Sequence, residues 1–210
     1  MSLYDLFLKC ITLKYSNTGI SINYTSFKQN DVLYIFFQGS NSFADWLKNL
    51  NFPAKPYKKM GNTVWFAHKG FLKAWKQLEG IVQNLIADKT IKQIIITGYS
   101  HGAAIAVLCH EYVWFNRPDL QQNLKSFGFG CPRVIWGVKT LQTKKRWKNF
   151  TVIRNLDDIV THLPPFIFGY IHVGTMLKIG ERKKYTPVQA HYPINILKEL
   201  KTCTVCLKQI

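Results

Sequence analysis

Negative charge is what this chain has least of. Asp and Glu number 11 against 28 Lys and Arg, a formal net charge of +17 at pH 7. Such a surface draws anionic partners at long range: acidic lipid, nucleic acid or an acidic protein. Arginine is scarce as well, 5 residues against 23 lysines, and no arginine–aromatic recognition pattern accompanies them. A nucleic-acid partner is therefore not expected. The bases fall in separate groups: Lys55, Lys58 and Lys59; Lys139, Lys144, Lys145 and Lys148 with Arg146; then Arg182, Lys183 and Lys184. The plain reading is a solvated lysine-rich face. The functional reading is a peripheral patch facing an anionic membrane.

Other absences narrow the class further. No apolar run approaches the roughly 18 to 20 residues that span a bilayer. The first residues, Met1 to Lys9, lack a basic leader and a small-residue cleavage site, and carry Asp5 early. They do not read as a signal peptide, so a cytoplasmic or peripheral membrane location is expected, although a mature secreted form would read the same way. Cys203 and Cys206 form a lone C-x-x-C with no second pair to complete a four-ligand zinc site. Cys109 and Cys131 lie in apolar segments and, with Cys10, read as reduced core thiols. His68, His101 and His110 make no metal pattern. Neither a metal nor a cofactor is expected, and the oligomeric state is not readable.

Hydrophobic content of 47% and aromatic content of 14% exclude a disordered chain. The 210 residues, without repeat, low-complexity tract or linker, fit one domain over 1–210. Periodicity predicts a helix over 3–14, strands over 19–27 and 31–38, and a short strand at 64–66. The clearest amphipathic helix covers 70–89, with Phe71, Trp75, Leu78, Val82, Leu85 and Ile86 on one face. Strands follow at 91–97, 124–129, 150–155, 171–179 and 184–188, with helices after the first and last of them at 103–115 and 194–200. Strands alternating with helices predict an α/β fold whose central, mostly parallel sheet is flanked by helices.

Gly98-Tyr99-Ser100-His101-Gly102 is the most informative pentapeptide. It matches G-x-S-x-G, the sharp turn that lifts a nucleophilic serine above an α/β-hydrolase sheet. Its context fits: the β-branched run Ile91–Thr97 precedes it and a helical stretch to Phe115 follows. A serine hydroxyl is inert near neutral pH without a base, and in this fold the acid and then the histidine follow it along the chain. Asp157 and Asp158 come directly after the strand at 150–155, at the carboxyl edge where such sheets place their sites. Either could serve. Among His162, His172 and His191, the last is favoured because it follows the final strand on a segment free to turn toward Ser100. The oxyanion hole needs two donors. The N–H of His101 is one by construction of the elbow. Ser40, after the buried run Tyr34–Phe37 and Gly39, offers the other through its N–H and O–H.

With these segments in place the chain resembles the class 3 lipases, the fungal-type α/β-hydrolases, from about residue 31 onward. The resemblance rests on Phe37-Gln38-Gly39-Ser40 with Asp45-Trp46-Leu47, His68-Lys69-Gly70-Phe71, the elbow, Gly130-Cys131-Pro132-Arg133-Val134, Asn155-Leu156-Asp157-Asp158-Ile159-Val160 with Leu163-Pro164-Pro165, Gly169 to Gly174, and His191-Tyr192. It implies Ser100 as nucleophile, Asp158 rather than Asp157 as triad acid, His191 as base, and Ser40 and His101 at the oxyanion hole. Gln38, Tyr99 and Met176 depart from the residues usual in the family at those places.

The expected activity is hydrolysis of carboxylic acyl esters, most plausibly of lipids, through an acyl-enzyme. Phe43, Trp46, Leu47 and Leu50 recur at helical spacing after Ser40 and are candidates for a lid, with a core-facing helix as the plain alternative. Phe166 and Phe168 are candidates for an acyl groove. Short-chain or aryl (feruloyl-type) esterase action is the nearest rival, and a catalytically inactive module binding membrane or acidic partners is the rival from another class.

Overall fold

The computed structural model describes residues 1–16, 22–39, 53–60, 63–137 and 141–208. Its strands are β1 (Tyr24–Gln29), β2 (Val32–Phe37), β3 (Ala54–Met60), β4 (Thr63–His68), β5 (Gln93–Tyr99), β6 (Leu124–Phe129), β7 (Ile135–Trp136), β8 (Phe150–Asn155), β9 (Tyr170–Ile171) and β10 (Thr175–Ile179). Six of them form a sheet in the order β1-β2-β5-β6-β8-β10, antiparallel only at β1–β2. This is the mostly parallel central sheet of the α/β-hydrolase fold that the alternation predicts.

The central strands alternate β-branched and aromatic residues that are buried on both faces. Leu33, Ile35 and Phe37 of β2 and Ile94 and Ile96 of β5 meet helices Lys69–Ile86 and His101–Asn116 on one side. Tyr34, Phe36 and Ile95 meet helices Leu3–Thr12 and Pro193–Thr202 on the other. The helix His101–Asn116 is buried nearly all round, so its sequence carries no polar stripe. The first helix starts on a capping box: Ser2 Oγ accepts from Asp5 N at 3.1 Å and Asp5 Oδ2 accepts from Ser2 N at 2.9 Å. Among the described residues no helix is long and apolar enough to cross a membrane.

Three features differ from the expectation. A second sheet, β3-β4-β7-β9, has every pair antiparallel and packs on the helix Lys69–Ile86. The predicted strand over 171–179 is split: Gly174, at φ +74, turns the chain from β9 in the second sheet to β10 in the first. The predicted strand at 184–188 is not formed. Its residues make turns, because Thr186 and Gln189 cap each other (Gln189 N to Thr186 Oγ1 3.3 Å, Thr186 N to Gln189 Oε1 3.2 Å) and Pro187 offers no N–H. That turn feeds the short helix Gln189–His191. Near the C-terminus, Cys203 and Cys206 are joined by a disulfide, while Cys10, Cys109 and Cys131 are free and buried.

Candidate active site

The elbow is a steric consequence of its glycines. A Cβ on Gly98 would collide with the carbonyl of Gly102, and a Cβ on Gly102 with the carbonyl of Phe37. Only with both absent can the helix descend onto β5 and β2. Between them Ser100 is held at φ 56 and ψ −120, a conformation L-residues avoid. Its N–H donates to Phe129 O at 2.9 Å, and its side chain makes no capping bond to the helix it opens. The hydroxyl is thereby aimed away from the helix.

It is aimed at a histidine. His191 Nε2 lies 2.9 Å from Ser100 Oγ, and His191 Nδ1 lies 2.9 Å from Asp158 Oδ2. Asp158 is 0% exposed, His191 1% and Ser100 5%. A carboxylate can only accept, so the ring proton sits on Nδ1 and Nε2 faces the hydroxyl as an acceptor. The second oxygen of Asp158 accepts from Val160 N at 2.9 Å, which fixes the carboxylate plane. Asn155 Nδ2 donates to Ala190 O at 2.8 Å and ties the histidine's loop to the end of β8. Tyr99 stacks on the His191 ring, centroids 5.0 Å apart and planes at 22°, and its hydroxyl donates to His191 O at 2.7 Å. Gly130, at φ +55, leaves the space the imidazole needs: a Cβ there would stand 2.7 Å from His191 Cε1 and 3.0 Å from Asp158 Oδ2. Such a cluster can strip a proton from the serine hydroxyl and hold the resulting imidazolium beside a fixed anion.

Residues 34–168 match the model of the family "Lipase (class 3)". The chain belongs to the class 3 lipase family. A lipase of Rhizomucor miehei is 32% identical over 151 residues, covering 68% of this chain and 40% of that protein. A secreted mono- and diacylglycerol lipase of Fusarium solani is 26% identical over 168 residues, covering 76% of this chain and 47% of its own length. This chain thus spans less than half the length of those relatives. Among solved structures, lipase II of Rhizopus niveus superposes with a TM-score of 0.67 at 27% identity, covering 78% of this chain and 63% of that one. A triacylglycerol lipase whose catalytic centre is a serine protease triad superposes with a TM-score of 0.67 at 26% identity, covering 80% and 66%.

In this class 3 lipase family member the other sequence candidates are engaged elsewhere. Asp157 Oδ2 accepts from Lys183 N at 2.5 Å, and His172 Nε2 lies 2.7 Å from Thr161 O. His162 packs its Nε2 against the Arg154 guanidinium. His101 opens the helix, where the first N–H groups have no intrahelical acceptor, so its N–H is available to a ligand oxygen beside Ser100. Its ring is pushed down to a pKa of about 4, by burial first and by neighbouring His68 second, and stays neutral. Ser40, Phe43, Trp46, Leu47 and Leu50 lie outside the described residues. Phe166 and Phe168 sit on the turn Phe166–Phe168, 66% and 52% exposed. Among the described residues no group of three or more His, Cys, Asp or Glu could hold a metal ion.

Sequence reading missed the supports of the histidine. Tyr99 stands out in the sequence only as a departure from the family pattern. Asn155 and Gly130 lie inside quoted motifs, but nothing local says that both converge on residue 191.

Proposed function

We propose that this protein is a serine esterase that cleaves acyl esters of lipids through a covalent acyl-enzyme. The carrying observation is the continuous Ser100–His191–Asp158 relay at 2.9 Å per link. Ser100 Oγ attacks the ester carbonyl while His191 Nε2 takes its proton. The negative tetrahedral oxygen is held by the His101 N–H together with a donor from Ser40, each donor worth about 3 to 4 kcal/mol of barrier on the scale of a lost oxyanion contact. Collapse expels the alcohol, which leaves with the proton from His191. Water then attacks the acyl-serine, giving its proton to His191, and the acid departs as Ser100 is regenerated. Asp158 holds the tautomer and balances the imidazolium throughout.

A lipid ester, rather than a small soluble one, is supported by the kinds of substrate named for the relatives. The charge of +17 fits an anionic surface as the working environment. The test is a substrate panel of triglyceride, phospholipid and soluble short-chain and aryl esters, with Ser100→Ala as control and fluorophosphonate labelling alongside. The expected result is preference for long acyl chains presented at an interface, and a loss of at least about 10⁴-fold with no labelling in Ser100→Ala. Preference for short or aryl soluble esters would replace the lipid reading. Labelling that persists in Ser100→Ala would remove the mechanism.

A further inference from the structure

The turn Phe166–Phe168 sets three large apolar residues in a row at the surface, Phe166 at 66%, Ile167 at 84% and Phe168 at 52% exposed. Contiguous exposed apolar surface of this kind marks a contact site more often than it marks accident. Phe166 and Ile167 belong to neither hydrophobic core. The turn is nevertheless well braced. Phe168 N donates to Pro165 O at 3.1 Å, Gly169 N to Phe166 O at 2.8 Å, and Trp136 Nε1 to Phe168 O at 2.8 Å. Gly137 N and Gly169 O close the other side at 2.9 Å. The side chains are thus presented by a fixed backbone, so little ordering would be needed on contact.

Position and charge identify what the turn meets. It follows, along one loop, the short helix Ile159–His162 that Asp158 opens, and that loop is tied close to the triad where Arg133 N, just past the Gly130 that faces His191, donates to Leu163 O at 2.7 Å. Along the chain on either side of the triad base His191, Val188, Tyr192 and Ile194 are 40%, 46% and 57% exposed. Arg133 Nη1 donates to Pro164 O at 2.8 Å and also to the carbonyl of His162, and Arg154 leans on the His162 ring. The nearby carboxylates of Asp158 and Asp157 act on Arg154 while also accepting from His191 and from Lys183 N. An apolar tip backed by two arginines, on a chain of net charge +17, fits a surface that is apolar within and anionic outside.

We propose that Phe166–Phe168 is a docking wedge for anionic lipid, with Phe166 and Ile167 entering the acyl boundary and Arg133 and Arg154 at the level of the phosphates. This role rests on the lipid-ester reading of the Ser100 site. Binding is measured on full-length Ser100→Ala protein, where no turnover occurs, so the two readings can fail separately. Co-sedimentation with phosphatidylcholine vesicles, with and without phosphatidylglycerol, is compared for Ser100→Ala alone and with Ile167→Asp added. The expected result is phosphatidylglycerol-dependent, salt-sensitive binding that Ile167→Asp weakens about tenfold or more. Val205→Asp, at a residue 60% exposed in the C-terminal segment, is expected to bind as its parent. With Ser100 intact, Ile167→Asp is expected to hydrolyse a soluble short-chain ester at the parental rate. Undiminished vesicle binding by Ile167→Asp overturns the wedge. So does a self-association, read by analytical ultracentrifugation, that Ile167→Asp abolishes while vesicle binding persists, because the turn would then be a contact between copies. Loss of soluble-ester hydrolysis in Ile167→Asp would also overturn it, by assigning the turn to the architecture of the site.

Discussion

Tyr99 touches the base in two ways, through the face of the imidazole and through the backbone carbonyl of residue 191. Tyr99→Phe keeps the stack and leaves that carbonyl without its donor. Losing that hydrogen bond costs on the order of 1 to 1.5 kcal/mol, so kcat is expected to fall about tenfold while KM holds, as steady-state kinetics on a soluble ester would register. A changed KM with intact kcat would place Tyr99 on the substrate side instead. The paired acids give a sharper contrast. Asp158→Asn loses the tautomer lock and should cost about 10⁴-fold in kcat, whereas Asp157→Asn, at a carboxylate that accepts from Lys183 N and not from His191, should stay within about threefold of the parent. Equal losses for the two would put the acid role in question. At this scale much of the site was legible. The elbow named Ser100 because its glycines are sterically obligatory, and chain order narrowed the acid and the base. What was not legible is how residue 191 is held. Asn155, Gly130 and Tyr99 lie 36, 61 and 92 positions before it, and such long-range meetings leave no local pattern.

The short helix Leu141–Arg146 is fastened by its last residue. Arg146 Nε lies 2.8 Å from Glu111 Oε1, with both side chains almost fully buried, and Tyr57 donates its hydroxyl to Glu111 Oε2 at 2.5 Å. The Arg146 guanidinium also lies 4.2 Å from the centroid of the Trp65 ring. One group of contacts therefore joins the elbow helix, the second sheet and the 141–146 segment. Burial raises the Glu111 carboxyl and Arg146 counters that effect. Arg146→Met removes the counter-charge and is expected to cost about 3 to 5 kcal/mol in denaturant unfolding, while Glu111→Leu combined with Arg146→Met should recover much of it. A single variant as stable as the parent would show that the pair carries no weight. Legibility of elements follows the same logic. The parallel strands were plain because burial on both faces demands unbroken apolar runs such as Ile94–Ile96. The second sheet was legible only at β4, through the short strand at 64–66: β3 reads Ala-Lys-Pro-Tyr-Lys-Lys-Met, with a register shift between Pro56 and Lys58, and β7 and β9 are two residues each. Strands that short, or that basic, owe their existence to neighbours rather than to their own composition.

For the molecule as a whole, an excess of +17 positive charge means that acidification adds protons to a chain already repelling itself. Two histidines sharpen the response. His110 is 1% exposed, with Nδ1 2.7 Å from Ser126 Oγ and Nε2 2.9 Å from Arg146 O, and burial pushes it down to a pKa of about 4. His101 is pushed to about 4 as well. In the unfolded chain both would take up protons near the ordinary histidine value of about 6.5. A depressed folded pKa means the unfolded state binds more protons between those limits. Stability is then complete above about pH 6.5 and is lost as pH falls toward 4, by up to roughly 3 kcal/mol for each histidine. General charge repulsion would erode stability over the same range, so the total slope alone does not separate the causes. His110→Gln does, since it keeps polar atoms near Ser126 and Arg146 O but cannot titrate. Urea unfolding from pH 7 to pH 4 should show the parent losing stability steeply and His110→Gln losing less, by up to roughly 3 kcal/mol at the acid end, even if the variant starts lower at pH 7. Parallel curves for the two proteins would mean that the buried ring plays no part, and that the acid sensitivity comes from the surface charge.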